Sequence, residues 1–90
     1  MSKAIKIKDL SGWRSKATLY KMQPPYEGNE YVIASAVMVM FSGPETYLFA
    51  ALADGEPVNM SELPASSRGT LSHAEVLAAA GYEIHEEDNQ

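Results

Sequence analysis

The chain has 90 residues, 46% hydrophobic and 21% charged, with a formal net charge of −5 and no cysteine. This length makes one domain with a thin core, and the missing thiols exclude a disulfide framework and a cysteine nucleophile. The acidic balance argues against a long nucleic acid, which demands a basic stripe, but leaves room for a small nucleotide in one focused pocket.

The opening "MSKAIKIKDL" lacks the long apolar core of a signal peptide. The longest apolar run, "YVIASAVMVMF" at 31–41, is well short of the ~20 residues a membrane-crossing helix needs. The expectation is a soluble, cytoplasmic protein with no membrane partner.

Residues 3–8, "KAIKIK", alternate, with Ile5 and Ile7 on one face and Lys6 and Lys8 on the other, the period of a half-buried strand. Ser11-Gly12 signals a turn, and "KATLYKM" at 16–22 reads as a second strand. "QPPYEGNE" at 23–30 should break it, because two prolines followed by Gly-Asn cannot continue a ladder. Residues 31–41 form the strongest strand, apolar on both faces, and "SGPE" at 42–45 a hairpin-type connection. "TYLFAALA" at 46–53 is the next strand, followed by an Asp54-Gly55 turn and a short edge segment "EPVNM" that Pro57 weakens.

After Met60 the pattern changes. "MSELPASSRG" predicts a helical turn or two, with Pro64 in a first-turn position and Gly69 as the stop. A better-marked helix follows over 73–80. Ser72 is its N-cap, Glu75 completes a capping box, Leu71 and Val76 form a staple, and Gly81 ends it. "YEI" at 82–84 pairs briefly before an acidic tail at 85–90. The fold class is therefore α+β: an antiparallel sheet of about four strands over 3–60, then two short C-terminal helices over 61–81, all in a single domain 1–90. One short helix cannot cover both faces of strands that are apolar on each side. The uncovered face then calls for a second subunit, a homodimer or higher closed assembly.

No catalytic constellation emerges. His73 and His85 are the only histidines; Ser72 beside His73 is needed for the cap, and no orienting acid is spaced for a serine nucleophile. His85 with Glu86, Glu87 and Asp88 reads as solvated tail rather than a metal site. No enzyme activity, metal or cofactor is expected.

The charge distribution singles out Arg68. Six of the seven cations lie in residues 3–21, and residues 22–90 carry eleven Asp and Glu with Arg68 as the one cation. Its plain reading is an ion pair or a carbonyl cap on the helical turn. Its functional reading is an anion site, since a guanidinium is a planar fork of donors suited to phosphate. Ser66, Ser67 and Thr70 add hydroxyls around it, and Gly69 allows close approach. Phe41 likewise is either a core aromatic or a platform at a hairpin tip on which a purine stacks. Met38 and Met40 beside it suit packing or an interface.

Residues 30–84 combine "SAVMVMFSGPETYLF", an Asp-Gly turn, "ELPASSRG" and "HAEVLAAAGY", preceded by "LYKMQPPYEG". In that order the motifs resemble the anti-Thoeris sponges, small phage proteins of the first-described type of Thoeris anti-defence. The resemblance covers about two-thirds of the chain. It implies an oligomer in the infected host cell that binds cyclic ADP-ribose isomers and holds them without cleavage. Some members also capture cyclic oligonucleotides at separate sites. On this resemblance Phe41 stacks on the adenine and Arg68 grips the pyrophosphate, with Ser67, Gly69 and Thr70 at the phosphate end. "FAALADGE" offers little polar contact after Phe49, so Asn59 is the substitute. The other function the sequence suggests is an acidic, protein-binding inhibitor of a bacterial defence complex, resembling anti-CRISPR proteins.

Overall fold

The computed structural model describes residues 2–13, 15–41 and 43–86, with the backbone alone described at Met60, Ser61, Ser67, Arg68 and Glu86. The tail residues 87–90 lie outside the described residues. The elements are β1 (Lys3–Leu10), β2 (Lys16–Tyr26), β3 (Asn29–Val39), β4 (Gly43–Ala51), β5 (Pro57–Glu62), β6 (Ser67–Arg68), α1 (His73–Ala79) and β7 (Glu83–Glu86). Six strands lie in the order β5-β4-β3-β2-β1-β7, and the two-residue β6 joins β5 on the outer edge of β4. No helix among the described residues is long and apolar enough to cross a membrane.

Two sequence expectations are corrected here. The sheet is mixed rather than purely antiparallel, because β7 runs parallel to β1, pairing Lys3 with Glu83 and Lys6 with Glu86. There is also one helix, not two. Residues 57–62 extend along β4, with Phe49 opposite Glu62, and the segment forecast as helical turns becomes strand, turn and β6. The cause is the outer edge of β4, whose backbone groups need partners. Leu63 N–H donates to the Leu48 carbonyl at 2.8 Å, and Leu48 N–H donates to Ser66 Oγ at 2.9 Å. A helix over 61–69 would take both partners away.

The prolines act as expected locally but do not end β2. The β2–β3 ladder jumps from Lys21–Tyr31 to Tyr26–Asn29, so Pro24 and Pro25 occupy the gap where no N–H is required. The hairpin then closes on Glu27 (φ 50°) and Gly28 (φ 81°), the paired left-handed geometry of a two-residue turn. Asn29 Nδ2 donates to the carbonyls of Tyr26 and Glu27, both at 3.2 Å.

Both sheet faces are buried within one chain. On the helix side, Ala4, Tyr20, Met22, Val32, Ala34 and Leu48 pack with Val76, Leu77 and Tyr82. On the other side lie Ala17, Leu19, Ile33 and Ala51, with Ile7, Leu10, Trp13 and Tyr31 against them. A bulge between Lys6 and Lys8 turns Leu10 onto this second face, beside Ile7. Trp13 covers Phe49 at a ring separation of 6.2 Å. The Asp54-Gly55 turn closes over Leu10 so tightly that a Cβ on Gly55 (φ 96°) would sit 2.9 Å from Leu10 Cδ2. The large bare sheet face expected from the sequence is therefore absent, because loops rather than a second helix cover it. Among the described residues the most exposed large apolar side chains are Met38, Met40 and Phe41 at the β3–β4 hairpin, with Leu52, Val58 and Leu71 exposed singly elsewhere.

The helix keeps its forecast boundaries within a residue. Gly81 (φ 95°) donates its N–H to the Ala78 carbonyl at 2.9 Å, and Tyr82 N–H donates to Leu77 at 2.9 Å. These are the two bonds of a Schellman stop. Of the two residues of the forecast staple, Val76 is buried and Leu71 is exposed.

Candidate functional site

The β3–β4 hairpin carries the first sequence-nominated residue. Val39 pairs with Gly43, which places the turn at Met40 and Phe41 rather than at residues 42–45. Phe41 is 101% exposed relative to a free residue and sits at φ 72°, a left-handed conformation that a bulky side chain adopts only against a steric cost. Its reading as a core aromatic is thereby excluded.

The second cluster lies one strand away on the outer edge of β4. Glu45 stands opposite Arg68 and Thr46 opposite Ser67. The side chains of Ser67 and Arg68 lie outside the described residues. Gly69 (φ 96°) is exposed and donates its N–H to the Pro44 carbonyl at 2.7 Å. Glu45 itself is 3% exposed.

Thr70 is a structural hub. Thr46 Oγ1 donates to its carbonyl at 2.8 Å. Its own hydroxyl donates to Glu75 Oε2 at 2.7 Å and accepts from Ser72 N–H at 2.9 Å. Ser72 Oγ accepts from Glu75 N–H at 3.2 Å. The capping box is thus half formed, with Thr70 inserted where the Glu75 carboxylate was expected to reach the cap N–H. At the start of α1 the Ser72 and Glu75 N–H groups are met by neighbouring side-chain hydroxyls. Asn59 is exposed on β5, the outermost strand beside β4, and nothing described brings it to Phe41.

Phe41 and the 67–70 segment are close in the fold but not in contact distance by ladder position. They are one strand apart and three to four residues along the hairpin, on the order of 10–15 Å. That span suits a ligand laid between them, not a direct side-chain pair.

A different cavity was missed by sequence reading. A groove of about 320 Å³ lies between β1, β2 and the start of α1, lined by Lys6, Asp9, Lys16, Thr18, Tyr20, Leu71, Ser72, His73 and Ile84. His73 Nε2 faces the Lys16 carbonyl at 3.0 Å, and a carbonyl only accepts, so Nε2 carries the proton. Nδ1 then accepts from the Tyr20 hydroxyl at 3.3 Å. Burial, foremost, holds the His73 imidazolium below the usual histidine range, and the nearby Lys16 ammonium adds to it. Asp9 accepts from Thr18 Oγ1 at 2.9 Å and pairs with Lys6 at 3.6 Å. The Thr18 hydrogen bond, then the Lys6 charge, lowers the Asp9 carboxyl from its ordinary value. The β1 bulge is the signal that could not be read. Strict alternation puts Lys6 and Lys8 on one face, whereas Lys6 lines this groove and Lys8 lines a separate hollow with Leu10, Trp13 and Asp54.

Among the described residues no group of three or more His, Asp or Glu is placed to hold a metal ion. His85 faces Glu83 at 3.0 Å on the parallel strand. No protein-family model, no curated protein and no solved structure matches this chain.

Proposed function

We propose that this chain is a phage anti-defence protein that binds a cyclic ADP-ribose-type nucleotide in the infected cell and sequesters it without cleavage. The observation that carries the reading is Phe41, wholly exposed at a left-handed turn position. Nothing in the packing of one chain accounts for a phenylalanine held there. A flat ring presented at the same end of the hairpin as exposed Met38 and Met40 offers a stacking surface for a purine, worth about 1–3 kcal/mol per base.

In this reading Arg68 supplies the phosphate-binding guanidinium, and the Gly69 turn lets the ligand approach the backbone. Ser67 contributes a polar contact, whereas Asn59 lies on β5 beside the far end of β4 and takes no part in this reading. Thr70 positions the segment, because its hydroxyl is committed to Ser72 and Glu75. A lone hairpin tip cannot enclose a nucleotide. A second copy closing over the tips of Met38, Met40 and Phe41 both buries that apolar end and completes the pocket, so the working form is a homodimer or larger closed assembly. Sequestration works by mass action and requires no turnover.

The test is capture and release. The protein is mixed with a cyclic ADP-ribose isomer and filtered, and the retained ligand is recovered by heat denaturation. The expected result is depletion from the filtrate and recovery of intact ligand, with Arg68→Ala failing to deplete it. Recovery of a hydrolysed product would make the protein an enzyme. A stoichiometric host protein pulled down by a chain that captures no nucleotide would favour the acidic inhibitor instead.

A further inference from the structure

We propose that the groove between β1, β2 and the start of α1 is a separate binding site for a small phosphate monoester, of the size of a nucleoside 5′-monophosphate. It is independent of the hairpin tip. Lys16 pairs with Ala36, Ala36 with Thr46 and Thr46 with Ser67. Lys16, at the cationic end of the groove, therefore stands three strand spacings, about 14 Å, from Ser67 along one ladder row.

The charges identify the class of ligand. In a chain of net charge −5, the charged groups that line this groove are Lys6, Lys16 and Asp9, with His73 neutral. Their sum is one positive charge. Asp9 is committed to Thr18 and Lys6, so it orients one ammonium and leaves Lys16 to meet an incoming anion. A phosphate monoester carries nearly two negative charges at neutral pH and matches two ammonium groups better than a carboxylate does. At the helix start Ser72 N–H is held by Thr70 and the Ser72 oxygen accepts from Glu75 N–H, so the two lysines rather than the helix terminus carry the anion contact.

Size and walls narrow the class further. A volume of about 320 Å³ stands at the small end of the roughly 300–1,000 Å³ range of ligand sites. Leu71 is exposed and Ile84 half-buried at the rim, and the Tyr20 ring lies edge-on to His73 at 6.1 Å. These give the body of the ligand an apolar wall beside a cationic end. His73 reports occupancy: an added dianion near its ring favours the imidazolium and raises a titration midpoint that burial otherwise holds down.

The experiment follows the His73 ring signals by NMR while isotopically labelled protein is titrated with inorganic phosphate and, separately, with AMP. The expected result is a saturable shift with both probes, tighter for AMP, and an upward move of the His73 midpoint. A Lys6→Gln/Lys16→Gln variant should bind AMP about tenfold more weakly or worse, the loss of one charge-assisted contact or more. Circular dichroism and thermal unfolding of the variant confirm that it folds. No saturable shift, undiminished AMP binding by the lysine variant, or equal weak binding of phosphate and AMP (an adventitious ion only) would each overturn the site. The lysine variant should still capture the cyclic ADP-ribose isomer. That result separates this site from the hairpin-tip proposal, because either can fail while the other stands.

Discussion

Replacing Phe41 by glycine should stabilise the fold and remove ligand capture together. Phe41 sits at φ 72°, where an L-residue carries roughly 1–2 kcal/mol of steric strain. The ring is fully exposed, so deleting it forfeits no burial within the chain. Glycine removes the strain but adds about 0.5–1 kcal/mol of unfolded-chain entropy. The net gain is therefore about 0–1.5 kcal/mol, a rise in Tm of up to about 12 °C for a domain of this size. Urea unfolding at low protein concentration, with the slope checked for constancy, measures the stability change. Capture of the cyclic ADP-ribose isomer, measured in parallel, should fall by the stacking contribution of about 1–3 kcal/mol. A loss of stability above about 1 kcal/mol at low concentration would mean that the ring packs against its own chain, and the reasoning from exposure would be wrong. A stabilised variant that captures as well as the parent would refute the stacking role alone.

Other substitutions test the framework beneath the site. Leu77 is 0% exposed between α1 and the sheet, so Leu77→Ala should lose about 2–5 kcal/mol in denaturant unfolding. Thr70→Val removes the hydroxyl that joins Ser72 N–H to the Glu75 carboxylate. It should lose about 1–2 kcal/mol, and amide exchange should quicken first at the start of α1. His73 binds its proton less readily when folded than the unfolded chain does, chiefly because it is buried. Its contribution to stability is fully present above about pH 6.5, the unfolded value, and is lost as the pH falls through the lower folded value. His73→Gln should flatten the stability–pH curve in that window, and an unchanged slope would show that His73 is not the group responsible.

The sequence carried periodicity well and long-range pairing poorly. The strand signals of β1, β3 and β4 and the stop at Gly81 are local, and each element appears in the structure near its forecast position. The edge segment expected at 56–60 is present as β5, but its run to Glu62 in place of a helical turn was hidden because nothing local marks it. It follows from the demand of Leu48 N–H and C=O for partners at the open edge of β4. The parallel pairing of β7 with β1 likewise depends on the chain crossing the sheet through α1, which no short window encodes. Cover for the second face comes from Trp13 and the Gly55 turn; neither a lone aromatic nor a turn dipeptide says in sequence which face it closes over. At the site, the isolation of Arg68 and the aromatic at Phe41 were visible as composition. The groove was not, because a single-residue bulge reassigns Lys6 and Lys8 to opposite faces.

The ladder position of Arg68 sharpens what its substitution can mean. It stands opposite Glu45, a carboxylate only 3% exposed, and directly opposed residues on neighbouring strands lie within reach of each other. A guanidinium has five donors, and a bidentate carboxylate pair uses two, so service to Glu45 and to a phosphate are compatible. Loss of stability in Arg68→Ala therefore does not by itself decide between them. A double-mutant cycle with Glu45→Gln does. If Arg68 meets phosphate, Arg68→Ala abolishes capture in either background while Glu45→Gln alone retains it, whatever the two lose in stability. If Arg68 serves only to balance Glu45, the two single variants and the double variant lose capture equally, through the same displaced segment. The stability coupling between them then lies at about 0.5–3 kcal/mol. That second pattern would return Arg68 to the framework and leave the Phe41 tip without a phosphate partner.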